Sequence, residues 1–194
     1  MPRQPDPDVE GRILNAARKL WTRGGAQALT MRAVAKAART NTPAVYRRFK
    51  DRKDILRALI ERTRAEVIAE VEAAATPEEA GERYVEWGMK HPHDYELFYQ
   101  HEYDLFHEVR SRRGPSRETR PGVDAMNRKL TERLGGEPDD HTPMTLALLM
   151  LAHGATMLFI GNALHDYGPG VRKIFSAAVA ALLRENASFS KKPS

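Results

Sequence analysis

Apolar positions recur with helical period along nearly the whole chain. Val9, Ile13, Ala16, Ala17 and Leu20 fall at i, i+4, i+7, i+8 and i+11 and mark one face of a first helix, with Gly24-Gly25 as its expected stop. Thr30 stands as an N-cap ahead of Met31, Val34, Ala35 and Ala38, a stripe only about two turns long. A polar break of Arg39, Thr40, Asn41 and Thr42 follows. Asn41 or Thr42 can cap a short third helix, Pro43 suits its first turn, and Val45 and Phe49 form its apolar edge. Asp51, with Asp54 three residues on, opens a long helix whose stripe (Ile55, Leu56, Leu59, Ile60, Thr63, Val67, Val71) continues to about Ala75.

The second half repeats the pattern with bulkier residues. Thr76 and Glu79 form a capping box, with Pro77 at the first helical position, and the helix carries Tyr84, Trp87 and Gly88 to His91. Pro92 breaks it and starts another through Tyr95, Phe98, Tyr99, Tyr103 and Phe106. A charged loop near Arg110 to Pro121 precedes a helix marked by Val123, Met126, Leu130 and Leu134 and stopped by Gly135-Gly136. Two more helices are expected, Thr142 to about His165 and Pro169 to about Asn186. No alternating run argues for a strand, so the expected fold class is all-α.

Composition narrows the possibilities. The 194 residues include no cysteine, which excludes disulfides, thiolate catalysis and cysteine-ligated zinc. No apolar run is expected to reach membrane-spanning length; the most apolar segment, Met144 to Ile160, reads as a buried helix. The opening MPRQPDPDVE lacks the apolar core of a secretory signal, and the expected location is the cytoplasm. Charge is uneven. From Gly11 to Lys53 twelve cations oppose one carboxylate, Asp51, whereas residues 54–194 carry 18 cations against 22 carboxylates. A basic first quarter on a mildly acidic body implies an anionic partner at one end.

Two short helices separated by about four polar residues form a helix-turn-helix pattern, whose second helix enters the DNA major groove. The residue types suit that role. Small side chains at Thr42, Pro43 and Ala44 permit close approach, and their methyl or methylene groups can pack on thymine methyls. Tyr46 can offer its hydroxyl to phosphate, and Arg47 and Arg48 supply cationic forks. Lys53, Thr30 and Arg32 sit where the first turns of helices already favour an anion. Val34, Ala35, Val45 and Phe49 are core by their spacing; the bland alternatives for Tyr46 and Arg48 are packing and solvation.

Ile13 to Leu59 resembles the N-terminal domain of the TetR family of bacterial transcriptional regulators. The resemblance lies in Ile13-Leu14-x-Ala16-Ala17, Trp21, Gly24-Gly25, Thr30-Met31-Arg32, Val34-Ala35, Pro43-Ala44-Val45-Tyr46, Phe49 and Lys53-Asp54-x-Leu56. It implies phosphate contacts for Thr30, Arg32, Tyr46, Arg47 and Lys53, with Thr42, Pro43 and Ala44 facing bases. The family usually has glycine where Arg39 stands and an apolar residue at the position of Thr40. A left-handed Arg39 would carry about 1 kcal/mol of strain, tolerable if the side chain gains a phosphate contact. YVEWGMKHPHDYELFYQHEYDLF and AHGATMLFIGNAL resemble one C-terminal subclass, the His-Gly-containing or WHG type, through His91-Pro92 and His153-Gly154. That resemblance implies an effector cavity among the middle helices and a dimer interface made by the last two.

The residues bear on both implications. Ala147, Gly154 and Gly161 repeat every seven positions, as do Met150, Met157 and Leu164, and Ile174, Ala178, Ala181 and Leu182 give the last helix a similar face. Such stripes suit a four-helix interface between two subunits; the alternative is intramolecular core. Tyr84, Trp87, Met89, Tyr95, Phe98, Tyr99, Tyr103, Phe106, Met126, Met150, His153 and Met157 are candidates to line a cavity for a mostly apolar small molecule. His91, His93, His101 and His107 lack the i, i+4 spacing that puts two imidazoles on one helix face, so no metal is expected. No cofactor is expected, and the chain lacks G-x-S-x-G, a phosphate-cradling loop and G-x-G-x-x-G, so no enzyme is expected.

The expected organisation is a disordered leader (1–8), a three-helix DNA-binding domain (9–53), a helical effector-binding and dimerisation domain entered through a long helix (54–187) and a disordered tail (188–194). The expected function is a ligand-responsive regulator, a repressor in the first instance. It would bind a palindromic operator on double-stranded DNA as a homodimer and leave it when a small-molecule effector binds, with no membrane partner. The rivals are a ligand-independent architectural DNA-binding protein and a small-molecule-binding helical enzyme.

Overall fold

The computed structural model describes residues 8–99, 121–163 and 170–185, and among these residues there is no strand. The helices are α1 (Val9–Ala28), α2 (Met31–Ala37), α3 (Thr42–Tyr46), α4 (Arg52–Ala73), α5 (Pro77–Lys90), α6 (92–99), α7 (Pro121–Leu134), α8 (Thr142–Ile160) and α9 (Gly170–Arg184). A 3-10 turn, Pro138–His141, leads into α8. Tyr103, Phe106, His101 and His107 lie outside the described residues, as do most of the leader and the tail. Backbone contacts divide the chain into two compact units. The first holds the described residues up to Arg64 together with 93–99; the second holds Ala65–Pro92, 121–163 and 170–185.

In the first unit, helices too short to persist alone share one core. Ile13, Ala17, Leu29, Val34, Val45, Ile55 and Ile60 are all fully buried in it. Leu97 of α6 joins this core and Phe98 packs at its edge, under the Arg64 guanidinium at 5.8 Å from the ring centroid. Side chains cap the entries of α2, α3 and α4. Thr30 Oγ1 accepts from the Ala33 amide at 3.1 Å, Asn41 Oδ1 from the Ala44 amide at 2.8 Å and Asp51 Oδ1 from the Asp54 amide at 2.9 Å. Asp54 reaches back to the Lys50 amide at 2.9 Å.

The expected stop at Gly24-Gly25 is present: both glycines leave helical geometry, and a short further helical piece follows within α1. Gly25 takes φ +56°, which only glycine adopts without strain, and helix resumes to Ala28. Arg52 Nη1 donates to the Ala26 carbonyl at 3.0 Å and ties this last turn to the start of α4.

In the second unit, α5 packs against α8 and α9. Ala80, Tyr84, Val85 and Trp87 are buried on α5, and Phe175, Val179 and Leu183 on α9. A Cβ at Gly81 would meet the Phe175 ring at 3.3 Å, so the residue there must be small. Asn127 of α7 joins two threonines near the start of α8: Asn127 Nδ2 donates to Thr142 Oγ1 at 2.9 Å, and Thr145 Oγ1 donates to Asn127 Oδ1 at 2.5 Å. This satisfies polar groups that would otherwise destabilise the core.

Two expectations about α8 need correction. It ends at Ile160 rather than near His165, because Gly161 caps it and Asn162 turns to φ +57°. The Asn162 and Ala163 amides then close on the Phe159 and Leu158 carbonyls, each at 3.0 Å. Gly161 is therefore a helix terminus, not an interior position of a seven-residue stripe. Second, Pro138–Ile160, 23 residues that include an 18-residue stretch with a mean hydropathy of 1.7, is long and apolar enough to cross a membrane by length and composition. His153 and Gly154 do not lower its hydropathy below that threshold. Met144, Leu148, Ala152 and Thr156 of this helix are buried within the unit, while Leu146, Met150, Met157 and Leu158 are exposed.

Candidate nucleic-acid interface

The basic residues of the first unit gather around α2 and α3. In α3, Val45 is fully buried and Ala44 nearly so, while Tyr46, Arg47 and Arg48 face solvent. An aromatic ring more than half exposed (Tyr46, 53%) beside two guanidiniums is costly as plain surface and suited to a stacked or hydrogen-bonded partner. Arg32, Lys36 and Arg39 are exposed on and after α2, and Lys50, Arg52 and Lys53 around the start of α4. Arg48 Nη1 lies 3.8 Å from Glu10 Oε2 of α1, an exposed contact too weak to hold it from another anion.

The turn between α2 and α3 is a complete C-terminal stop. The Arg39 amide donates to the Lys36 carbonyl at 3.2 Å and the Thr40 amide to the Ala35 carbonyl at 3.0 Å. Arg39 supplies the left-handed residue this stop requires, at φ +54°. Asn41 then caps α3, which resolves the choice left open between Asn41 and Thr42. Pro43 occupies the first turn, where its missing N–H leaves nothing unsatisfied.

These side chains converge on one chemistry, a cationic surface led by a short helix whose inner face is locked. The structure brings together Thr30, Arg32, Arg39, Thr42, Pro43, Tyr46, Arg47, Arg48 and Lys53 as exposed or half-buried residues of one unit. Ala44, 8% exposed, is the least accessible of these candidates.

Residues 13–59 match the family described as bacterial regulatory proteins, tetR family, and residues 78–182 match the tetracyclin repressor-like C-terminal domain. The chain belongs to the TetR family. Members of the TetR family are DNA-binding transcription regulators, not enzymes. Three solved structures share the TetR fold with this chain. A Rhodococcus sp. RHA1 protein of unknown function is 20% identical, with a TM-score of 0.69, 94% of this chain and 98% of that one covered. SCO7222, a TetR from Streptomyces coelicolor, is 20% identical with a TM-score of 0.64 and coverages of 94% and 99%. A variant of TetR from Acinetobacter baumannii AYE, in complex with minocycline, is 17% identical with a TM-score of 0.64 and coverages of 97% and 100%. No curated protein sequence matches the chain significantly.

The remaining candidates in this TetR chain fall into separate places. Tyr95, Phe98 and Tyr99 belong to the first unit, where the Tyr95 and Tyr99 rings lie 4.7 Å apart. Tyr84, Trp87, Met89, Met126 and His153 belong to the second, where Trp87 lies 5.1 Å from the His91 ring. Burial holds the His153 imidazole below its ordinary pKa. Met150 and Met157 sit outward on α8, at 69% and 36% exposure. Of the expected dimer residues, Ala147, Gly154, Ala178, Ala181 and Leu182 are half-buried, and Gly161 and Ile174 exposed. Among the described residues no three His, Asp or Glu side chains are placed to hold a metal ion.

Sequence reasoning missed one residue of consequence. Asp94, 6% exposed at the start of α6, accepts from Arg18 Nη2 at 2.7 Å and Nε at 2.9 Å, while Trp21 Nε1 donates to the His93 carbonyl at 3.3 Å. Arg18 thus points inward and is withdrawn from the cationic surface. Only its apolar neighbours at i−1 and i−2, Ala17 and Ala16, hinted that it lies near the buried edge of α1.

Proposed function

We propose that this TetR-family chain is a homodimeric, ligand-responsive repressor that reads a palindromic operator through α3. The observation that carries the reading is the division of α3 and the turn that follows it: Val45 is fully buried in the core, while Tyr46, Arg47 and Arg48 are exposed. A single helix of this length covers one half-site, so a two-fold pair spanning successive grooves about 34–36 Å apart gains both affinity and specificity. The pairing surface is the outer side of α8 and α9. Leu146, Met150, Met157, Leu158 and Ile174 are all exposed there, large apolar side chains that a second copy would take out of water.

The effector is a small, mostly apolar molecule taken up among the aromatic and methionine side chains of the C-terminal half, in the cytoplasm. Its binding lowers operator affinity by favouring a dimer whose two readers no longer match the half-site spacing, which requires different effector affinities in the two states. Selection of bound fragments from random or genomic duplex DNA tests the reading. The expected product is an inverted repeat with half-sites one helical turn or a multiple apart. Recovery of fragments with no shared sequence would instead favour a ligand-independent architectural protein.

A further inference from the structure

Five described residues have left-handed backbone: Gly25, Gly135, Gly136, Asn162 and Arg39. Glycine adopts that region freely, and asparagine visits it through local side-chain hydrogen bonding. Arg39 has neither advantage. Its Cβ crowds the backbone at φ +54°, yet the stop that joins α2 to α3 demands this conformation. The side chain is exposed, and among the described residues no carboxylate pairs with it. Strain that persists without an internal gain points to a gain elsewhere.

We propose that Arg39 is a phosphate clamp that anchors the reading helix at the wall of the groove. The inference rests on the DNA-reading role of α3. Arg39 precedes the cap residue Asn41 by two positions, at most about 7 Å of extended chain. In a helix-turn-helix the first helix crosses the sugar-phosphate backbone while the second enters the groove, and Arg39 directly follows the C-cap of the first, α2, so it stands near the groove edge and not its floor. There the guanidinium meets sugar-phosphate oxygens, which fix register without reading sequence. Arg39 therefore trades stability of the free protein for affinity of the complex.

The test compares wild type with Arg39→Gly, Arg39→Asn and Arg39→Lys on the operator recovered by selection. Thermal melting is measured on free protein, and binding by fluorescence anisotropy from about 50 to 200 mM salt. Arg39→Gly and Arg39→Asn should melt a few degrees higher and bind more weakly. The slope of log K against log salt should flatten by about 1.8 for a two-fold pair, two phosphates at about 0.9 each. Arg39→Lys should keep both the slope and the melting temperature of wild type, and the selected consensus should not change in any variant. An unchanged slope in Arg39→Gly overturns the clamp, and so does a changed consensus, which would make Arg39 a base reader. Melting below wild type overturns the strain argument. Wild-type protein that binds no duplex at all would refute the DNA-reading role itself, a separate outcome.

Discussion

The Arg18–Asp94 pair allows a stability prediction whose size follows from its geometry. Asp94 is nearly buried, and Arg18 is about a quarter exposed, its Nη2 and Nε both aimed at Asp94 Oδ2 at 2.7 and 2.9 Å. Removing one member of a fully buried pair costs about 3–5 kcal/mol, chiefly by stranding the other charge. Water reaches the Arg18 side here, so about 2–3 kcal/mol is expected for Arg18→Ala, which strands the more buried partner. Asp94→Asn should cost less, about 1–2 kcal/mol, because Arg18 can turn toward solvent and an amide oxygen still accepts. Arg18→Met with Asp94→Leu removes both charges, keeps apolar volume and should recover most of the loss. The assay is urea unfolding followed by circular dichroism and tryptophan emission, since Trp21 bonds to the neighbouring His93 carbonyl. A loss of about 2–3 kcal/mol corresponds to a melting shift of about 4–12 °C for a chain of this size. Single variants within about 0.5 kcal/mol of wild type, or losses that simply add in the double variant, would refute the reasoning.

Other predictions follow from the same structure. Tyr46→Ala and Arg47→Ala should each weaken operator binding while leaving the melting temperature nearly unchanged, because both side chains are outside the core; a gel shift at wild-type affinity would remove that residue from the interface. A Cβ at Gly154 meets nothing within 4 Å, so Gly154→Leu should fold normally yet fail to pair, and sedimentation showing an intact dimer would place the interface elsewhere. Asn41→Ala should cost about 1 kcal/mol through loss of the α3 cap, and Asn41→Asp should retain it; equal melting of the two variants contradicts the capping role. His153 takes up a proton less readily folded than unfolded, so the stability it contributes is present above about pH 6.5 and declines below it. His153→Gln should flatten unfolding free energy against pH below about 6.5, and superimposable curves would exclude the effect.

The DNA-reading half was legible in the sequence because its constraints are local. A capping side chain three residues ahead of the amide it accepts, a proline in a first turn and an apolar i, i+4 pair each follow from helix geometry alone, and Thr30, Asn41, Pro43, Val45 and Phe49 occupy the expected places. Arg39 was legible only through the family resemblance, as a residue standing where that family usually has glycine. What escaped was tertiary. Nothing in the spacing of Leu97 and Phe98 says that they pack on the core of the reading unit, or that Asp94 finds a guanidinium 76 residues earlier.

The helix α8 resisted reading for a different physical reason. Periodicity identifies a face only when apolar residues are confined to one, and here they are not. Met144, Leu148 and Ala152 turn inward, while Leu146, Met150, Met157 and Leu158 turn outward. Such a helix passes the test for a membrane span, reads as core on one stripe and as cavity lining on another, and the pattern cannot choose among these. Its packing separates them. One side is covered by α5, α7 and α9, whereas the outward methionines and leucines, with Ile174 of α9, still face water. A helix apolar on both sides needs two covers, and the described residues supply one. If the second is another copy of α8 and α9, Met150→Asp should dissociate the pair without unfolding the subunit. It should also weaken operator binding far more than the loss of one side chain remote from DNA could explain, because each half-site contact would then be made alone. Full operator affinity in a Met150→Asp variant shown to be monomeric would break that link between pairing and reading.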